Sequence, residues 1–128
     1  GEVEGRNCLI VDDFTISGGT LCDVASGLKA RGANKIYAFL SHIVMGEEGV
    51  KRIQDSPLEF LVSTDTVYCQ AADGCDKIHI ISAAPLFAEA VRTIHDREPM
   101  SKMFDQVPRR LLDMSFSRQL TMGDILKN

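Results

Sequence analysis

A chain of 128 residues, 45% hydrophobic and 25% charged, has the makeup of one globular domain able to bury a core. Its formal net charge of -4 excludes the broad basic face that nucleic acid requires, so no nucleic-acid partner is expected and any anionic ligand must be met by local donors. No apolar stretch approaches the ~20 residues of a membrane helix, and Gly1-Glu2-Val3-Glu4 lacks a signal-peptide pattern; a cytoplasmic protein with no membrane partner is expected.

The first element is the continuous apolar run Cys8-Leu9-Ile10-Val11, the pattern of a strand buried on both faces, ended by Asp12-Asp13. Residues 14–19 read as a polar turn. Leu21, Val24, Ala25 and Leu28 then recur at helical spacing, with Arg31-Gly32 as a C-terminal stop. Ile36 to Leu40 is a second buried strand, which makes a strand–helix–strand unit and predicts a parallel crossover. Glu47 to Gln54 reads as a short helix with Val50 and Ile53 inward, broken by Asp55-Ser56-Pro57. Phe60-Leu61-Val62 is a third strand, residues 71–76 a loop, and Ile78 to Ile81 a fourth strand. A helix follows over 84–95, with Leu86, Phe87, Ala90, Val91 and Ile94 as one apolar stripe. This alternation predicts an α/β fold, a mostly parallel sheet flanked by helices. From Asp105 the periodicity is lost, so 105–128 read as an appended tail with one short helix. The cysteines Cys8, Cys22, Cys69 and Cys75 form no CxxC pair and are expected as free thiols.

The segment that carries chemistry is Val11-Asp12-Asp13-Phe14-Thr15-Ile16-Ser17-Gly18-Gly19-Thr20. It leaves the carboxyl end of a strand and enters a helix, the place where open α/β sheets hold ligands. Gly18 and Gly19 allow close backbone approach, and free amides at a helix N-terminus favour a phosphate. Ser17 and Thr20 add hydroxyl donors. Asp12 and Asp13 repel a phosphate but suit the hydroxyls of a sugar, since a carboxylate accepts several hydrogen bonds. Donors at one end and acceptors at the other describe a phosphorylated ribose. The plainer reading is a solvated turn, because Asp and Gly are common in turns. No Lys follows the glycines, so the loop is not a P-loop, and GxGxxG is absent. His42 and Asp65 stand at strand carboxyl ends and are secondary candidates. His79, within a strand, reads as a core or edge residue.

The loop resembles the phosphoribosyl-pyrophosphate signature shared by type I phosphoribosyltransferases and phosphoribosyl pyrophosphate synthetases. Downstream blocks are similar to the synthetases: residues 31–38, Ser41-His42, residues 53–57, Val62-Ser63-Thr64-Asp65-Thr66, residues 80–86 and residues 88–95. The chain is thereby identified as a member of the synthetase (ribose-phosphate diphosphokinase) family, with 1–104 as part of its C-terminal phosphoribosyltransferase-like domain and 105–128 as a tail. The resemblance implies that Asp12 and Asp13 hold the ribose hydroxyls, directly or through Mg²⁺, and that Ile16, Ser17, Gly18, Gly19 and Thr20 cradle the 5-phosphate. It implies transfer of diphosphate from Mg-ATP to ribose 5-phosphate, giving phosphoribosyl pyrophosphate and AMP, in a protein that forms a homo-oligomer. It assigns no catalytic residue to this chain, which by itself is expected to be inactive. Three positions depart from the family: Ile16 stands where Asp is usual, Ser17 where Thr is usual and Ile43 where Gly is common. The alternatives are a type I phosphoribosyltransferase and a non-catalytic regulatory homologue.

Overall fold

The computed structural model describes residues 1–105, in which four strands, four α-helices and one 3-10 turn (Gln70–Ala72) form two compact units, Gly1–Ser82 and the segment from Ala83 onward. The strands are β1 (Cys8–Thr15), β2 (Ile36–Ile43), β3 (Phe60–Thr64) and β4 (Ile78–Ile81). They form one sheet in the order β1-β2-β3-β4, and every pair is parallel. The predicted α/β architecture is what forms. Helices α1 (Gly19–Ala30) and α2 (Glu47–Asp55) connect the first three strands.

Side chains alternate across a sheet with period two, so the ladder register sorts the strand residues into two faces. Ala38 opposes Leu61, and Leu61 opposes Ile78, all buried. With Ile36 and Leu40 they meet Leu21 and Ala25 of α1 and Ile53 of α2 in the hydrophobic core, and Val50 packs against it. The opposite face carries a row of rings: Tyr37 and Phe60 stand 4.5 Å apart, and His79 meets Phe60 edge-on at 5.6 Å. His79 is thus a packed strand residue.

Helix ends follow the chemistry of their residues. At the end of α1, Gly32 adopts φ +83, its amide donates to Lys29 O and the Ala33 amide donates to Leu28 O. Those two bonds satisfy carbonyls the helix leaves open, and a left-handed glycine is the usual device for making them. The predicted stop at Arg31-Gly32 is therefore real.

Three expectations are corrected. The strand at Cys8–Val11 is not buried on both faces: Leu9 is 51% and Val11 67% exposed, because among the described residues β1 is the edge strand and only β2 pairs with it. The turn expected over 14–19 shrinks to 16–18, since β1 continues through Asp12 and Asp13 to Thr15, where Val44 N donates to Thr15 O at 2.9 Å. In the second unit, α3 (Ala84–His95) forms as expected, yet Leu86, Phe87, Val91 and Ile94 are all exposed. Its buried position is Thr93, whose hydroxyl donates to Glu89 O and meets Met103 Sδ of the short α4 (Ser101–Asp105). The tail expected from 105 lies outside the described residues beyond that first position.

Candidate functional site

Parallel strands bring all their carboxyl ends to one edge of the sheet, so the residues that follow β1, β2, β3 and β4 gather there. β1 contributes Asp12, Asp13 and the turn 16–18, and the turn owes its shape to Gly18. This residue sits at φ +69, ψ -5, a left-handed conformation that reverses the chain into α1. A Cβ there would lie 3.3 Å from Ile53 Cδ1 and 3.4 Å from Gly49 O. Glycine is thus required twice, by backbone torsion and by the approach of α2.

The amides of the turn divide into two groups. Gly18 N–H donates to Thr15 Oγ1 at 3.1 Å and Gly19 N–H to Ser17 Oγ at 3.3 Å. The amides of Ile16, Ser17 and Thr20 make no hydrogen bond among the described residues. The two occupied amides are closed by local hydroxyls, while the free ones stand at the positive end of the α1 dipole, which bears no acidic residue in its first turn. Ile16, Ser17, Gly46, Glu47, Glu48, Gly49 and Arg52 line an open cavity of about 510 Å³ beside this turn. Arg52 is a cation that the sequence pattern did not single out, and only the folding of α2 against the turn places it there.

Asp12 and Asp13 are both exposed, each with one carboxylate oxygen turned back on the chain: Asp12 Oδ1 accepts from Asp13 N–H at 2.9 Å and Asp13 Oδ1 from Phe14 N–H at 2.8 Å. Among the described residues neither is in an ion pair, so the second oxygen of each is open to a ligand. Among the described residues no group of three or more His, Cys, Asp or Glu side chains converges on a metal position. A pair of carboxylates still suits Mg²⁺, which commonly takes one or two and completes its shell with water and phosphate oxygens.

The neighbouring strand ends form a hydrogen-bonded cluster. His42 Nδ1 lies 2.6 Å from Thr66 Oγ1, which lies 2.7 Å from Thr64 Oγ1, and Thr64 Oγ1 donates to Ser41 O at 2.7 Å. Asp65 Oδ2 accepts from Ser82 Oγ at 2.6 Å, tying β3 to β4. The secondary candidates His42 and Asp65 both stand at this edge. A second open cavity of about 740 Å³ lies between the β2–α2 loop and Tyr68–Asp73. All four cysteines are free and partly buried, as expected. Burial raises the Cys22 thiol above its ordinary pKa, partly offset by a hydrogen bond with Ser56.

An open parallel sheet whose first strand runs through paired acids into a glycine turn and a helix N-terminus defines an α/β protein with its loops gathered at the strand carboxyl ends. The chain belongs to the family described as the phosphoribosyl synthetase-associated domain, whose model matches residues 1–105. It is 43% identical over 107 residues to a ribose-phosphate pyrophosphokinase of Neisseria meningitidis serogroup A, covering 83% of this chain and 33% of that protein. A ribose-phosphate pyrophosphokinase of Chromobacterium violaceum is 41% identical over 107 residues, with the same coverage. The chain thus spans about a third of the length of the curated relatives it matches. The fold is similar to that of phosphoribosylpyrophosphate synthetase from Mycobacterium smegmatis, with a TM-score of 0.71 at 24% identity over 76% of this chain and 33% of that one.

Proposed function

We propose that this chain supplies the ribose-5-phosphate site of a ribose-phosphate diphosphokinase, which transfers diphosphate from Mg-ATP to ribose 5-phosphate and releases AMP with phosphoribosyl pyrophosphate. The observation that carries the reading is the turn at Gly18, which among the described residues leaves the amides of Ile16, Ser17 and Thr20 open at the start of α1 beside two carboxylates in no ion pair. The 5-phosphate takes those amides and the hydroxyls of Ser17 and Thr20, with the helix dipole behind them. Gly18 and Gly19 contribute by letting the phosphate approach. The ribose hydroxyls donate to the open oxygens of Asp12 and Asp13, a charge-assisted pairing stronger than a neutral one. Asp12 and Asp13 are the residues that would hold a Mg²⁺ ion, which would supply charge neutralisation at the phosphates.

Catalysis of this type consists mainly of positioning and electrostatic stabilisation, and the share of this chain is to fix the acceptor sugar. The relatives' names favour the synthetase over a phosphoribosyltransferase. Ile16, 65% exposed, projects from the turn without disturbing its backbone, so the missing carboxylate at that position does not dismantle the cradle. We place the protein in the cytoplasm as a homo-oligomer whose partners are ribose 5-phosphate, ATP and phosphoribosyl pyrophosphate. Among the described residues no helix is long and apolar enough to cross a membrane.

Calorimetric titration of the chain with ribose 5-phosphate tests the site. Asp12→Ala plus Asp13→Ala weakens binding at least about a hundredfold, the order expected when two charge-assisted hydrogen bonds are lost (about 1.5–3 kcal/mol each). Unchanged affinity in the double variant reduces the loop to a structural turn.

A further inference from the structure

Gly18 and Gly19 are glycines for different reasons. Gly18 needs its left-handed torsion, whereas Gly19 has no positive φ. A Cβ at Gly19 would meet Ser17 Oγ at 3.4 Å and Arg52 Nη1 at 3.7 Å, both ordinary contacts. Neither torsion nor packing within the protein demands glycine there, and what its missing side chain leaves is a gap between a hydroxyl and a guanidinium. Ser17 and Arg52 both line the open cavity beside the turn. The guanidinium stands there without a protein partner. Glu48 lies one helical turn before Arg52, the spacing and order that favour an ion pair on a helix, yet the two form none, and Asp55 is taken by Lys51 at 2.7 Å. Among the described residues the side chain of Arg52 makes neither a hydrogen bond nor an ion pair. It is also the sole cation lining the cavity, against Glu47 and Glu48, whose place in the first turn of α2 suits the dipole of that helix.

A cation held against a glycine, with open amides in the same turn, is matched by an anion that accepts from both. On this basis we infer that Arg52 is the cationic ligand of the 5-phosphate, its Nη1 donating to one phosphate oxygen across the gap that Gly19 keeps, while the amides of Ser17 and Thr20 take others. A guanidinium donates in a fixed planar fork that matches phosphate oxygens, and such charge-assisted bonds are stronger than the neutral ones of the amides alone. The charge of Arg52 also offsets the carboxylates of Glu47 and Glu48, which would otherwise repel a phosphate from the cavity. Helix α2 thereby belongs to the site, since its approach to Gly18 through Ile53 and Gly49 sets the reach of Arg52. The inference rests on the sugar-phosphate reading above and extends it: the phosphate gains a charged partner from outside the loop.

Titration of the full chain with ribose 5-phosphate, followed by ¹⁵N spectroscopy of the Ser17 and Thr20 amides and of the Arg52 Nε–H group, separates the parts. The sugar phosphate shifts all three signals, a readout that needs no variant. Arg52→Gln removes the charge and weakens binding about tenfold, between the worth of an exposed ion pair and that of a full charge-assisted bond. Its urea midpoint holds, because the side chain has no protein partner to lose. Arg52→Lys keeps a charge without the fork and recovers part of the affinity. Lys51→Gln makes the same change in net charge at the neighbouring residue, whose ammonium is held by Asp55, and leaves affinity unchanged. Gly19→Ala fills the gap and weakens binding without lowering the midpoint. Added salt weakens binding by the parent chain more steeply than binding by Arg52→Gln. Loop amides that shift while Arg52 Nε–H stays silent, or an Arg52→Gln variant that binds as well as Lys51→Gln, overturn the role of Arg52 and leave the loop intact. If neither the amides nor Arg52 responds to the sugar phosphate, both readings fall.

Discussion

Replacing Gly18 by alanine isolates the torsion on which the loop depends, provided that it is compared with the same replacement at Gly27. Gly→Ala shortens the list of unfolded conformations wherever it is made, a gain of about 0.4–1 kcal/mol when the native torsion permits it. Gly27 lies inside α1 with no heavy atom within 4 Å of its would-be Cβ, and no positive φ is found there. Gly27→Ala should accordingly stabilise by about 0.5–1 kcal/mol. Gly18 has φ +69, which costs an L residue about 1–2 kcal/mol. The contact with Ile53 Cδ1 at 3.3 Å can relax by side-chain motion, whereas Gly49 O at 3.4 Å belongs to the backbone of α2 and yields less readily. Gly18→Ala should therefore destabilise by about 1 kcal/mol, and the difference between the two variants, about 1.5–2 kcal/mol, removes the unfolded-state contribution they share. Urea unfolding followed by circular dichroism measures it directly: with a slope of about 1–3 kcal/mol/M the midpoints separate by roughly 1 M, Gly27→Ala above the parent and Gly18→Ala below. Equal midpoints, or a Gly18→Ala midpoint above that of the parent, would refute the left-handed turn and with it the open amides of the cradle.

Three further outcomes follow from single groups. Ser63 is fully buried in β3 with its hydroxyl unpartnered among the described residues, so Ser63→Ala should raise stability by about 1 kcal/mol in the same unfolding assay; a loss would reveal a partner for that hydroxyl. Arg97 has φ +57 just past α3, where Arg97 N–H donates to Ile94 O and Glu98 N–H to Thr93 O, repeating the bonds that Gly32 makes after α1. Arg97→Gly should stabilise that helix end by about 1 kcal/mol, read as slower amide exchange at Arg97 and Glu98. Because burial is the main cause holding the Cys22 thiol above its ordinary pKa, iodoacetamide should modify Cys22 more slowly than it modifies a small thiol at about pH 8.5. The folded state holds this proton more tightly, so the associated stability is present below the unfolded pKa and is lost as pH rises through the folded one; Cys22→Ala should flatten that alkaline decline.

The sequence by itself determined the order of elements and the place of the loop. Apolar runs at Cys8, Ile36, Phe60 and Ile78, with the helical spacing of Leu21, Ala25 and Leu28 and the stop at Gly32, are local signals, and local signals survive in any tertiary context. The adjacency of Asp12-Asp13 to Gly18-Gly19 is likewise a property of the chain alone. Only the tertiary structure decided which strand lies at the sheet edge, and for that reason Leu9 and Val11 are exposed although their run reads like that of a central strand. The same holds for the extension of β1 through the paired acids, which depends on pairing with His42 and Ile43 far along the chain. His42, Thr64 and Thr66 become one hydrogen-bonded cluster only because β2 and β3 end side by side, and Arg52 reaches the turn only because α2 folds against Gly18. Periodicity reports which residues share a face of one element; it carries no information about which element will face them.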